Sequence, residues 1–424
     1  VSQPKKTPDQ SEYRWFSSQL RTVALISVFA GFGQFGAVAA LGDVARTFGH
    51  LSHGATFADE VGLSGTMLGV GLAVLRLASA FGLPLASLAD RFGRRRVLVE
   101  AGMVGLSLTA LSALAPSYWW FVCIFALGRP FLSATSGVTQ VMAVELTGVK
   151  DRAKAMAVVT AGYAVGAGAT AVIHSMAHTT LGFRGIFALA LVPLVGLYFL
   201  RHRVVEPFAY SRLSQSEHGK AVLGPIAKPF RKRLIVICLI AFCVAVISGP
   251  ANSLVYIYAQ NYLHVSGALT SAMVVSAGVI GLGGLLLGRY LADVIGRRPT
   301  IALSICIVIG GACVTYAGSS TTLFLGYIAG VTGGAVFAPA GGAFANELFP
   351  TSVRASVSGW YIAAGVAGAV VGLVSFGAVA DAGGGTNHAG VAAIVVFVPM
   401  VLSTLLLLLL PETRGVDPDA VLHH

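Results

Sequence analysis

The sequence Leu88-Ala-Asp-Arg-Phe-Gly-Arg-Arg-Arg96 recurs in this chain as a near copy. It closes a long apolar run with Asp90, turns at Gly93 and leaves Arg94, Arg95 and Arg96 together. Residues 291–299, LADVIGRRP, repeat it with Asp293, Gly296, Arg297 and Arg298, at an offset of 293 − 90 = 203. A second pair, ELTGVKDR at Glu145–Arg152 and ELFPTSVR at Glu347–Arg354, recurs at 347 − 145 = 202. Two independent motifs at nearly one period imply a duplicated chain of two similar halves. Each copy lies between apolar runs long enough to cross about 30 Å of hydrocarbon, so the halves are expected to be membrane bundles.

Composition excludes the water-soluble alternative. Only 11 % of residues are charged, 56 % are hydrophobic and mean hydropathy is +0.81, whereas a soluble domain carries roughly a quarter charged residues. The net charge of +11 does not point to nucleic acid, because the basic residues sit in short loops and base-stacking motifs are absent. Cys123, Cys238, Cys243, Cys306 and Cys313 all fall inside apolar segments without metal-ligand spacing, and read as small packing residues. No metal and no cofactor are expected, and with no Gly-x-x-x-x-Gly-Lys loop ATP is not the driving force. The polar N-terminus has no cleavable signal pattern, so insertion is expected to rely on the first spanning helix. Val1 in place of Met, and the terminal His423-His424, are expected to reflect trimming of the chain rather than function.

Twelve apolar segments are expected to span, near 20–46, 62–88, 96–115, 118–145, 152–177, 184–203, 233–260, 267–291, 298–317, 321–346, 353–380 and 388–411. The fold class is therefore an all-α membrane protein of two pseudo-symmetric six-helix bundles. The first bundle is 1–200, a linker follows at 201–232, the second bundle is 233–412, and 413–424 form a tail. Lys and Arg gather on one side, at Lys5, Lys6, Arg14, 91–96, Lys150, Arg152, Lys154, the linker, Arg297, Arg298, Arg354 and Arg414. The other side has only Arg46 and Arg184. That asymmetry places the first side, with both termini, in the cytoplasm of a cell (inner) membrane. Glycines at small-xxx-small spacing (Gly162/Gly166, Gly284/Gly288, Gly368/Gly372) read as close helix crossings.

With two six-helix halves, the Asp90–Arg96 loop, its echo at Asp293–Arg298, and Glu145/Arg152 with Glu347/Arg354, the chain resembles the major facilitator superfamily. The half-ending stretches VVEP around Glu206 and PETRG at 411–415 add to the likeness. It covers nearly the whole chain, although Ala86 stands where that family usually has Gly. The resemblance implies secondary transport by alternating access. It also implies a latch that shuts the cytoplasmic side, built here from Asp90, Gly93, Arg94, Glu145, Arg152, Asp293, Gly296, Arg297, Glu347 and Arg354. Ion pairs at a moving interface bias one state by about 1–3 kcal/mol. The competing reading is that these charges only set topology, but topology needs only Lys and Arg, and acids are present too. ELFPTSVR and PETRG look most like the metabolite:proton symporter and sugar porter branches. Against a sugar, Val246-Ile247 replace the paired glutamines of sugar porters, and Gly342 replaces their helix 10 tryptophan. Helix 5 lacks the Gly-Pro pattern of drug:proton antiporters, which counts against multidrug efflux.

Charges at mid-bilayer depth cost several kcal/mol unless they face a cavity or a partner. Arg76 in helix 2 and Arg129 in helix 4 are at that depth, and no Asp or Glu is. Ser133, Ser136 and Gln140 continue a polar stripe from Arg129. Gln34 on helix 1, Tyr163 on helix 5, and Asn252 and Tyr256 on helix 7 face the same expected cavity. Two arginines without a carboxylate suit a bound organic anion. The alternative is packing: Arg129 matches a Gly-Arg element that is often structural in the resembled family, and Arg76 could be answered by Asp43. Related symporters carry acids in helix 1 where this chain has Ala30-Gly31-Phe32-Gly33, so Asp43 and His174 are the proton-coupling candidates. The expected partners are a small-molecule substrate, protons and the bilayer, with no nucleic acid, and the chain is expected to be a monomer. Facilitated diffusion, anion exchange, a sugar or polyol carrier and an exporter remain alternatives within transport. A substrate sensor of the same fold is the alternative outside it.

Overall fold

A computed structural model describes residues 17–50, 61–147, 151–206, 230–349, 353–382 and 387–414. Among the described residues twelve helices are long and apolar enough to cross a membrane: α1 Ser18–Phe48, α2 Gly65–Phe92, α3 Arg94–Leu114, α4 Tyr118–Glu145, α5 Lys154–Ala177, α6 Thr180–Leu200, α7 Arg231–Ser253, α8 Gly267–Val294, α9 Arg297–Thr315, α10 Ser320–Ala345, α11 Ser356–Ala382 and α12 His388–Leu409. Among the described residues there is no strand. The reason is solvation: in hydrocarbon every backbone N–H and C=O must be satisfied within its own segment, which a helix does. Leu286 and Phe199, 74 % and 70 % exposed, are side chains that only lipid would cover. Of the sequence expectations, residues 1–16, most of the linker (207–229) and most of the tail (415–424) lie outside the described residues.

The duplication is visible in the packing. In the first lobe α1 runs against α5, α3 against α4, and α2 against α4; in the second α7 runs against α11, α9 against α10, and α8 against α10. The glycine pairs read from the sequence lie at these crossings. A Cβ on Gly162 or Gly166 would collide with the carbonyl oxygens of Ala24 or Val28 on α1. On Gly368 or Gly372 it would collide with those of Phe242 or Val246 on α7. Gly284 and Gly288 do the same to Thr332 and Val336 on α10. Lipid supplies no hydrophobic force between helices, so close backbone contact has to hold them.

The two repeated loops fold alike. Gly93 and Gly296 adopt φ of +99° and +106°, which only glycine takes without strain. The chain then enters α3 or α9, and a carboxylate from the end of the same lobe sits on the new helix's N-terminus. Glu206 accepts from the Arg94 and Arg95 N–H at 2.6 and 3.0 Å, and Glu412 from those of Arg297 and Arg298 at 2.8 and 3.0 Å. A Cβ on Gly93 or Gly296 would sit 3.1 or 3.0 Å from that carboxylate, so glycine serves both the turn and the cap. Burial works against the Glu412 charge, but the backbone N–H groups of residues 298, 297, 414 and 413 outweigh it and hold its carboxyl below the ordinary value.

Inside each loop the first arginine closes a triad. Arg94, its side chain 6 % exposed, reaches Asp90 at 2.8 Å, Glu145 at 3.1 and 3.2 Å and the Ala89 carbonyl at 3.2 Å. Arg297 reaches Asp293 at 2.7 Å, Glu347 at 3.2 and 3.4 Å and the Ala292 carbonyl at 2.7 Å. The sequence reading set these residues at a moving interface; here each triad is complete within its own lobe. Arg152 is exposed in the first turn of the helix that becomes α5, while the Arg354 side chain lies outside the described residues.

The lobes meet along α2 with α11 and α5 with α8, at the ends of these helices remote from the repeated loops. Apolar packing follows the same division. One cluster runs through the second lobe and into the remote half of the first, including Phe121, Phe125 and Phe187. The loop-side half of the first lobe, with Leu20, Leu98, Leu132 and Met142, forms a cluster of its own. The lobes are therefore joined at the remote face and parted at the loop face.

Glu206→Gln and Glu412→Gln are each expected to cost about 1 kcal/mol, the scale of a lost helix cap, read as a lower melting temperature. Because the caps lie in different lobes, the double variant should be additive. The Glu412 contribution should be full at neutral pH and disappear as pH falls through its lowered carboxyl pKa. Melting of the four proteins from pH 7 to pH 3 checks both statements.

Candidate substrate site between the lobes

The cationic centre belongs to the first lobe. Arg129 precedes Pro130 in α4, where the missing N–H of proline loosens the helix. Its Nη1 donates to the Gln34 carbonyl on α1 at 2.9 Å and its Nε to Ser79 Oγ on α2 at 3.1 Å. The guanidinium lies 5.7 Å from the centre of the Phe125 ring. Three helices thus converge on one side chain. Gln34 also ties α1 to α4 through its side chain, donating to Ser136 Oγ at 2.9 Å and the Leu132 carbonyl at 3.1 Å.

Arg76 lies within electrostatic reach of Arg129, and Tyr163 within reach of both. Tyr163 owes its place to Gly31: α1 and α5 are so close there that a Cβ on Gly31 would strike the Tyr163 carbonyl oxygen. Both arginines are half-buried. Among the described residues, no carboxylate pairs with either of them. Asp43, the sequence-level alternative partner for Arg76, is instead bound to His174, with Nε2 and Oδ2 2.8 Å apart. The two proton-coupling candidates, from α1 and α5, are therefore one pair, with the His174 side chain 1 % exposed and that of Asp43 17 %.

The other expected site residues are spread more widely. Ser133 sits at the α2–α4 crossing, where a Cβ on Gly82 would meet its Cβ and Oγ. Gln140 is exposed nearer the loop face. Asn252 is exposed on α7 and donates to the Ser248 carbonyl at 2.9 Å. It lines a cavity of about 210 Å³ with Val244, Val308, Thr315, Tyr327 and Val331. Tyr256 is buried and packs edge-on against Phe35 of the first lobe, ring centres 6.0 Å apart; it belongs to the closed remote face. The lobes are therefore chemically unlike: guanidinium groups on the first, a largely apolar recess on the second. Sequence reasoning missed Ser79 and Tyr327, which lie in apolar helices without a motif to mark them.

Comparison with known proteins agrees with this fold. The sequence matches the Major Facilitator Superfamily over residues 23–312 and 285–421. It is 29 % identical over 376 residues to a probable 4-methylmuconolactone transporter of Cupriavidus pinatubonensis, covering 84 % of this chain and 83 % of that one. It is 24 % identical over 307 residues to a cis,cis-muconate transport protein of Acinetobacter baylyi, covering 69 % and 73 %. The inward-open xylose transporter XylE of Escherichia coli superimposes with a TM-score of 0.72 at 16 % identity, over 95 % of this chain and 98 % of that one. The chain belongs to the Major Facilitator Superfamily and is a multi-pass membrane transporter, not an enzyme.

Proposed function

We propose that this transporter carries a small organic anion across the cytoplasmic membrane by alternating access, in symport with a proton. The observation that carries the reading is the pair of guanidinium groups, Arg76 and Arg129, at mid-membrane depth without a carboxylate partner. Two cations without a carboxylate are costly in hydrocarbon, and an anionic cargo neutralises them when it binds. Arg129 is anchored by Gln34 and Ser79, so it presents a fixed donor edge, and Arg76 beside it supplies the second charge. Tyr163 adds a hydroxyl, and the recess around Asn252 and Tyr327 takes the less polar part of the cargo. The names of two relatives support the class, since one is a muconate transport protein and the other a probable methylmuconolactone transporter.

Sidedness follows from charge. The face of the repeated arginine loops is the cytoplasmic one, and both termini lie there. The outer face is then the closed one. Asp90 and Asp293, 55 % and 59 % exposed, are free at their outer edges to reach the opposite lobe when the cytoplasmic mouth closes, as a latch requires. A sugar carrier is less well supported, because Val246 and Ile247 are buried in helix packing rather than turned to a cargo.

Proton coupling rests on Asp43 and His174, an acid–base pair spanning α1 and α5. His174 stands beside the α5–α8 seam, so parting of the lobes there would admit water to the pair and open a path for a proton.

Arg76→Gln and Arg129→Gln are expected to weaken organic-anion binding by about two orders of magnitude, because removing one partner of a buried charge pair costs about 2–5 kcal/mol. Proteoliposome uptake of muconate and related carboxylates measures this, with neutral sugars as control. Unaltered affinity in both variants would end the anion reading. For coupling, an imposed gradient, acid outside, should accelerate uptake by the unaltered protein. In His174→Asn and Asp43→Asn the acceleration should vanish while anion exchange persists. Uptake indifferent to the gradient removes the proton from the cycle.

A further inference from the structure

The first turn of α2 has an incomplete set of partners within its own lobe. A helix begins with N–H groups that have no intrahelical acceptor. Ser64 Oγ accepts from the Met67 N–H at 3.1 Å, and the Leu68 N–H already reaches the Ser64 carbonyl. The Gly65 and Thr66 N–H groups are answered from the second lobe. Asp381 Oδ1 accepts from the Gly65 N–H at 2.6 Å, and Oδ2 from the Thr66 N–H at 2.8 Å and the Thr66 hydroxyl at 2.6 Å. One carboxylate thus makes three hydrogen bonds across the seam between lobes, 315 and 316 residues away in the chain.

Asp381 is poorly placed for its own helix. It stands in the last turn of α11, where the exposed carbonyls carry partial negative charge and a carboxylate is unfavourable. Among the described residues no cation pairs with it. Its stabilising contacts are all on α2, at the positive end of that helix's dipole. The seam beneath it is made for close, separable contact: a Cβ on Gly65 would meet the Gly377 carbonyl, and one on Gly69 would strike that of Leu373. The duplication does not supply a twin, since 381 − 203 = 178 and residue 178 is His.

We propose that Asp381 is the clasp of the outer gate, a carboxylate of one lobe that caps α2 of the other and sets how often the outer mouth opens. When the lobes part there, water replaces the carboxylate at the Gly65 and Thr66 N–H groups, so opening breaks three strong bonds without leaving a buried donor unmet. Asp381 stabilises only the outer-closed state, and its removal shifts the population toward outer-open. The same helix carries a carboxylate at its other end, Asp90 in the last turn of α2. The proposal rests on the transport cycle and the sidedness above, not on the cargo.

Hydrogen exchange of the purified full chain in lipid nanodiscs, with no cargo present, tests it. In Asp381→Ala, exchange of the segment 61–69 should rise about tenfold or more, the order expected for losing a charged cap. Exchange at the inner end of α2, residues 86–92, should fall in the same sample as the cytoplasmic mouth closes. Thr66→Ala should give a smaller change of the same sign. An unchanged 61–69 segment overturns the proposal. So does a rise there without added protection at 86–92, because that makes Asp381 a local cap and not a gate. A rise that includes the α1–α5 crossing reports general loosening and also counts against it; Asp381→Asn, which keeps one acceptor oxygen, then repeats the comparison in a milder variant.

Discussion

The structure depends on a carboxylate seated on the N-terminus of a membrane helix. It appears three times: Glu206 on α3, Glu412 on α9 and Asp381 on α2. The physics is common to all three, since two oxygens meet two unsatisfied N–H groups at the positive end of a helix dipole. What differs is where the carboxylate comes from. Glu206 and Glu412 come from the end of the same lobe, so they fasten the last helix of each bundle to its third. Asp381 comes from the other lobe.

Much of this architecture was legible in the sequence. The repeated loop and the Glu–Arg echo gave the duplication, and the apolar runs gave twelve spans close to those observed, because backbone solvation in hydrocarbon leaves the chain almost no alternative. The glycine pairs announced tight crossings, though not their partners. Gly162 and Gly166 could not reveal α1 as the neighbour, because spacing along a helix gives its smooth face and not what lies against it. For the same reason the acids and bases of the repeated loops were read as contacts between lobes. They are neighbours in space within one lobe, and Arg94, 6 % exposed, needs Glu145 and Asp90 to be tolerated where it is. Asp381 was invisible in the sequence, being one acid at the end of an apolar helix without a motif around it.

The central arginines show how far sequence can go with chemistry alone. Depth singled out Arg76 and Arg129, and the absence of acids near them is the ground for the anionic cargo proposed above. The sequence could not divide the labour between them. Arg129 is held by a backbone carbonyl and a serine, and part of its charge is answered by protein dipoles whatever is bound. Arg76, near it and near Tyr163, has the larger share of its charge still to be met. Asp43 could have met it, but His174 occupies Asp43. That pairing gives Asp43 a partner on α5 and leaves Arg76 without a carboxylate among the described residues.

A carrier needs lobes that hold their shape and an interface that does not hold too well. Both kinds of contact here use the same device, glycine against backbone carbonyl: Gly166 on Val28 and Gly372 on Val246 within the lobes, Gly65 on Gly377 and Gly69 on Leu373 between them. Smooth packing therefore cannot be what separates a rigid contact from a movable one. The polar connections can. Within a lobe, Arg94 is buried and Arg297 half-buried against two acids each, and parting them would strand charge away from water. Between lobes, three bonds run to Asp381 at the membrane surface, where water can replace each one, and one runs from the Ser271 hydroxyl on α8 to the Ala171 carbonyl on α5 at 3.0 Å. Parting the seam at Asp381 exchanges protein bonds for bonds to water, whereas parting a lobe would strand a guanidinium away from its acids.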